Sequence, residues 1–93
     1  MRFAIALDMT VEDLDRHHPK GFRKGYTDIA ATLSGFGFRR IQWTVYAADH
    51  ADLAQLYQAL EALKALKWFA QSVKSVQAFR MEQGSDFTEI MKA

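Results

Sequence analysis

The stretch FAIALD, residues 3–8, sets five apolar residues against a closing acid. The apolar positions are consecutive rather than alternate. Residues 2–8 therefore read as a strand buried on both faces, and so central in its sheet. Asp8 breaks the pattern, because acids are disfavoured in strands and a buried one is costly unless paired or ligated. At the carboxyl end of a central strand, side chains emerge into a loop. A carboxylate there can hold a divalent cation or accept a proton. The plainer reading makes Asp8 a helix cap or a turn residue satisfied by nearby backbone N–H groups, and position alone favours it.

Outward from this strand, Thr10 with Asp13 three residues later resembles a capping box and predicts a short helical turn. A longer helix is expected to begin near Pro19, a residue suited to a first helical position. It carries Phe22, Tyr26, Ile29, Ala30 and Leu33 on one face and stops at the glycines of SGFG, residues 34–37. FRRIQWTVYAAD, residues 38–49, is extended, with a tight turn expected near Gln42 to Thr44. Asp49 and Asp52 then sit where acids favour a helix N-terminus. The helix they open has Leu53, Leu56, Tyr57, Leu60, Leu63 and Leu66 as its apolar stripe and is expected to end around Trp68 to Ser72. Trp68 and Phe69 plug the core at that end. VQAFRME, residues 76–82, gives a last strand, and Ser85 caps a short terminal helix through Phe87, Ile90 and Met91.

The order β, α, β, β, α, β, with a crossover in each half, predicts an α+β fold of the ferredoxin-like kind (βαββαβ). Its antiparallel sheet has helices on one face and the first and third strands at its centre. The 93 residues, with one proline and no repeat or low-complexity tract, are expected to form a single domain over 1–93. At 49% hydrophobic and 13% aromatic the chain has material for a real core. It has no cysteine, which excludes disulfides and thiolate metal sites. No apolar run approaches a membrane span and no signal-peptide layout opens the chain, so a soluble cytoplasmic protein is expected. Small size with a rich apolar fraction also favours an oligomer.

A net charge of +1 says little about partners, but its distribution says more. RHHPKGFRK, residues 16–24, holds Arg16, Lys20, Arg23, Lys24 and two histidines without an acid. From Leu53 to Met81 the only acid is Glu61, against Lys64, Lys67, Lys74 and Arg80. Such patches can meet phosphates, although scattered lysines on a solvated face look the same. His17 and His18 are adjacent and point different ways on a regular element, while His50 flanks a helix start. All three read as surface or capping residues rather than metal ligands. No H-E-x-x-H, P-loop, G-x-G-x-x-G, G-x-S-x-G or C-x-x-C pattern occurs. The strands FAIALD and RMEQGSD lack the stacked aromatics of RNA-recognition modules.

Three features resemble the Cas2 pattern: Asp8 closing the first strand, the glycine-ended helix, and the segment RRIQWTVYAAD, which fits R-[IV]-Q-x-[ST]-V-[YF]. The blocks LKALKWF, VQAFR and SDFTEIMK are similar to those of the virulence-associated protein D family, Cas2-like in fold. That resemblance spans essentially the whole chain. It implies a homodimer built around the sheets, an endoribonuclease acting on RNA (mRNA) as a toxin, and often a small antitoxin partner. It also places Asp8 near its symmetry mate in a cleft, where it acts on a phosphodiester. Thr44 falls in the Ser/Thr slot of the segment, where its hydroxyl can bond a phosphate, although threonine is also an ordinary strand residue. Arg39, Arg40, Lys20 and Arg23 are the expected nucleic-acid contacts. Successive strand residues face opposite sides, so only one of Arg39 and Arg40 can face the RNA.

Two routes to cleavage fit an acid in such a cleft. In one, paired Asp8 carboxylates hold Mg²⁺, which positions water and stabilises charge on the phosphate. In the other, a base removes the ribose 2′-OH proton and that oxygen attacks phosphorus. Two carboxylates sharing a site make one of them a stronger base. A non-catalytic dimer that clamps nucleic acid is the alternative reading, and a protein-interaction module using a strand edge is the third.

Overall fold

The computed structural model describes residues 2–81. The expected helix after Ser85 lies outside the described residues. Strand β1 (Arg2–Met9) is followed by α1 (Val11–His17), α2 (Phe22–Ser34), β2 (Arg39–Gln42) and β3 (Val45–Ala48). After these come α3 (Leu53–Lys64), α4 (Lys67–Ser72) and β4 (Val73–Met81). The strands form one antiparallel sheet in the order β2-β3-β1-β4. This is the ferredoxin-like order, with β1 and β3 central as the continuous apolar run required.

Pairing separates the two faces of the sheet. Phe3, Ile5, Leu7 and Met9 of β1 point into the main core, with Tyr46 and Ala48 of β3 beside them. Leu14, Ile29, Leu33, Leu56, Leu63 and Phe69 close that core from the helices. Full burial of Ile5 or Leu33 contributes about 1.5–3 kcal/mol each. On the second face Ala4, Val45 and Met81 form a small cluster with Ala6, Ile41 and Phe79 packed against it. No described helix takes part in it. Asp8 is on this second face by alternation.

Several boundaries differ from expectation, each for a physical reason. The long helix begins at Phe22 rather than at Pro19. Gly21, at φ +89°, is its N-cap, and Pro19 belongs to the turn before it. Asp15 on α1 supplies the cap acceptor that Gly21 lacks, its Oδ1 accepting from the Phe22 N–H at 2.6 Å. At the other end α2 stops at SGFG as expected, with Gly37 taking the left-handed conformation at φ +85°. The expected single helix through Trp68 is two helices, broken at Ala65–Leu66. Its stripe is also narrower than expected. Leu56, Ala59 and Leu63 are buried, whereas Leu53 and Tyr57 are 60% and 67% exposed. The last strand starts at Val73, three residues earlier than expected.

Candidate active site and nucleic-acid interface

Asp8 is exposed at the carboxyl end of β1, opposite Ser75 of β4, with a bulge between Asp8 and Met9. It caps no helix. That role falls to Thr10, whose Oγ1 accepts from the Asp13 N–H at 3.0 Å. Among the described residues Asp8 makes no side-chain hydrogen bond or ion pair. The fold therefore leaves the Asp8 carboxylate exposed at the end of a central strand, without a partner among the described residues.

Thr44 stands next to it. Trp43 and Thr44 form the two-residue turn between β2 and β3, and the Thr44 carbonyl accepts from the Leu7 N–H at 2.9 Å. Neither turn residue has positive φ, so this is not the mirror-image turn usual in two-residue hairpins. The bulge in β2 between Arg40 and Gln42 takes up the mismatch in twist. The hairpin tip and the end of β1 are thus tied together, about 5 Å apart as adjacent strands.

The arginines part company. Arg39 pairs in register with Ala47, which pairs with Ala4, so it shares the second face with Asp8. Measured along the strands, four residues or about 13 Å separate it from the level of Asp8, and β3 lies between the two strands. There its guanidinium lies 3.4 Å from Asp49, which also binds Arg2 at 3.0 Å. Asp49 therefore serves as the acid of this Arg2–Arg39 pair, and Asp52 alone caps α3, accepting from Gln55 N–H at 2.7 Å. Arg40 faces the helices, its guanidinium carbon 5.1 Å from the centre of the Trp43 ring. Arg23, exposed in the first turn of α2, lies 5.5 Å over Phe22. Lys20 is exposed in the turn between α1 and α2.

Arg23 and Arg40 are brought together with Tyr26, Thr27, Ala30 and Trp43 around a cleft of about 320 Å³. Trp43 is 56% exposed and its ring lies 4.9 Å from that of Tyr26. Sequence reasoning did not single out Trp43. The available signal was a large aromatic in a turn, where it has no core to fill. Beneath the cleft, burial pushes the Tyr46 phenol up, and the Arg40 guanidinium opposes the shift.

His18, read from sequence as a surface or capping residue, is buried at 6% exposure. Its Nε2 lies 2.8 Å from Asp28 Oδ2, its Nδ1 accepts from the Lys20 N–H, and its ring meets Trp68 edge-on. No group of three or more His, Asp or Glu side chains gathers among the described residues in a way that could hold a metal ion. No described helix is long and apolar enough to cross a membrane.

The chain is 47% identical over 91 residues to the endoribonuclease VapD homolog of Neisseria gonorrhoeae, covering 98% of this chain and 99% of the relative. It is 48% identical over 90 residues to endoribonuclease VapD of Haemophilus influenzae, covering 97% and 98%. This chain belongs to the VapD family. The Helicobacter pylori VapD endoribonuclease is more distant, at 37% identity over 93 residues. No protein-family model matches the chain. Near end-to-end coverage means that the sheet, its hairpin and the strand bearing Asp8 all fall within the shared VapD length.

Proposed function

We propose that this VapD chain is an endoribonuclease that cuts RNA at the carboxyl end of β1, as a homodimer whose two Asp8 carboxylates meet in one cleft. The observation that carries the reading is the exposed Asp8 on a central strand, without a partner among the described residues and beside the Thr44 turn. Full-length relatives named endoribonucleases supply the class of reaction.

In the proposed step the Asp8 carboxylate takes the proton of a ribose 2′-OH, and that oxygen attacks the adjacent phosphorus. The bond to the 5′-oxygen breaks, leaving a 2′,3′-cyclic phosphate and, after protonation, a 5′-hydroxyl. A second carboxylate nearby makes one of the pair a better base. The Thr44 hydroxyl donates to a non-bridging phosphate oxygen, stabilising charge that develops there. Mg²⁺ commonly takes one or two carboxylates together with phosphate oxygens and water, and the Asp8 pair is a donor set of that kind, although one chain alone is not. Bound there, it would neutralise charge on the scissile phosphate. In the cell the cleavage acts as a toxin on mRNA in the cytoplasm, held in check by a small antitoxin protein.

The test is cleavage of a mixed-sequence RNA by wild type, Asp8→Asn and Thr44→Val, each with Mg²⁺ and with excess EDTA, with the product ends identified. Loss of cutting in Asp8→Asn, with 2′,3′-cyclic ends from wild type, is the expected result. Ends carrying 5′-phosphate, lost with EDTA, would replace the 2′-OH step by metal-assisted attack of water. Salt-sensitive RNA binding without any cutting would make the chain a nucleic-acid clamp and overturn the proposal.

A further inference from the structure

An exposed tryptophan at a hairpin tip does nothing for the core, yet Trp43 is held in place from two sides. Arg40 lies over its ring at 5.1 Å and Tyr26 lies 4.9 Å away, tilted by 54°. More than half of the indole remains in water. Among the described residues, the cleft it borders is lined by two arginines and no acid. Tyr26 is itself almost fully buried and anchored in the main core, so the indole rests on a rigid support. A further polar group sits below. The Tyr46 hydroxyl is buried there, near the Arg40 guanidinium and the Tyr26 ring.

We infer that the cleft between Trp43, Tyr26, Arg40 and Arg23 is a subsite for an unpaired base of single-stranded RNA, the indole stacking on the base while the two guanidinium groups take the flanking phosphates. Three properties fit this occupant. A tryptophan with more than half its surface in water offers sequence-tolerant stacking area to any base. Arginine at the rim of such a platform binds phosphate bidentately and reinforces the stack. A volume of about 320 Å³ is of the size that takes a small planar ligand.

The position fits as well. Trp43 precedes Thr44, whose carbonyl is bonded to the residue before Asp8. A strand of RNA passing around the hairpin tip would therefore run from the cleft, on the helix side of β2, toward Asp8 on the other face of the sheet. The inference rests on the ribonuclease reading for that placement, but not for the binding itself.

Binding is therefore read separately from cutting, on a short fluorescein-labelled 2′-O-methyl RNA, which lacks the attacking hydroxyl, with the full chain in a salt series. Trp43→Ala should weaken binding about 5- to 100-fold, while Trp43→Phe, which keeps an aromatic face, should stay close to wild type. The same strand with its bases removed should lose affinity for wild type and be bound equally by wild type and Trp43→Ala. Arg23→Gln and Arg40→Gln should each flatten the dependence of log affinity on log salt by about 0.7. Thermal melts establish that each variant is folded. Unchanged binding by Trp43→Ala, or equal binding of wild type to intact and base-free strands, would overturn the inference. So would a change in oligomeric mass on Trp43→Ala with RNA binding intact, which would make the cleft a contact between proteins. A chain that binds as described but never cuts would keep the subsite and lose only the catalytic reading.

Discussion

His18 uses both ring nitrogens. Because Nδ1 accepts from the Lys20 N–H at 2.9 Å, the hydrogen of the neutral ring lies on Nε2 and is donated to Asp28. Replacing His18 by Ala should leave the Lys20 N–H without its acceptor and empty the space against Trp68, and the expected cost of about 2–3 kcal/mol would be read by urea unfolding. Asp28 supplies a second, pH-dependent reading of the same contact. Its hydrogen bond to His18 holds its carboxyl below the usual value, with Lys24 assisting and burial opposing. A folded-state pKa below the unfolded one stabilises the fold above the unfolded value of about 3.9. That stability is lost as the pH falls through the lower folded value. The stability difference between wild type and Asp28→Asn should therefore be constant near neutrality and shrink below about pH 4 in urea titrations. Little of this was legible in the sequence, since two adjacent histidines look alike on paper. What buries His18 is Asp28, ten residues on, and Trp68, fifty residues on. Asp8 was the opposite case. Its break from an apolar run is a local signal, but position alone favoured a cap or turn role, and it is Thr10 that does the capping.

Short helices settle their register by contact. Where α1 crosses α2, Gly25 lets the helices approach: a Cβ there would lie 2.9 Å from Leu14 Cγ and 3.0 Å from both its methyls. Leu14 is wholly buried and has no room to give. Gly25→Ala gains about 1 kcal/mol of helix propensity but overpacks the crossing by about 1–3 kcal/mol. A net loss of roughly 1 kcal/mol is expected in urea or thermal unfolding. At α3 the cap is local, and Asp52→Ala should cost about 1 kcal/mol in the same measurement, with little effect on RNA cleavage. Local chemistry of this kind made Thr10, Asp52 and the glycine stop after α2 readable in advance. The break between α3 and α4 was not readable, because LKALKW has neither glycine nor proline. Leu66, half-buried against the core with extended backbone at ψ 104°, ends one helix and starts the next so that Phe69 can also reach the interior. Tertiary packing overrides propensity there.

At the scale of the whole molecule, the sheet gives its two faces different work. One face carries the large side chains that the helices cover. The other carries Ala4, Ala6, Val45 and Ala47 at its centre, with Asp8 at one end and the Arg2–Asp49–Arg39 cluster at the other. The βαββαβ order was legible because each element has its own periodicity, whereas the pairing of two chains leaves no periodic trace. If Asp8 and its symmetry mate share one cleft, as proposed, activity is a property of the pair. Co-expression of wild-type and Asp8→Asn subunits carrying different tags then gives a decisive count. Hybrid dimers purified through both tags keep one carboxylate in the shared cleft. If one carboxylate assists the other, their rate falls well below half that of wild type. Across mixtures the rate then tracks the square of the wild-type fraction. Hybrids retaining half the rate, with linear dependence, would mean that each Asp8 works alone, and a monomeric mass in sedimentation would remove the shared cleft altogether.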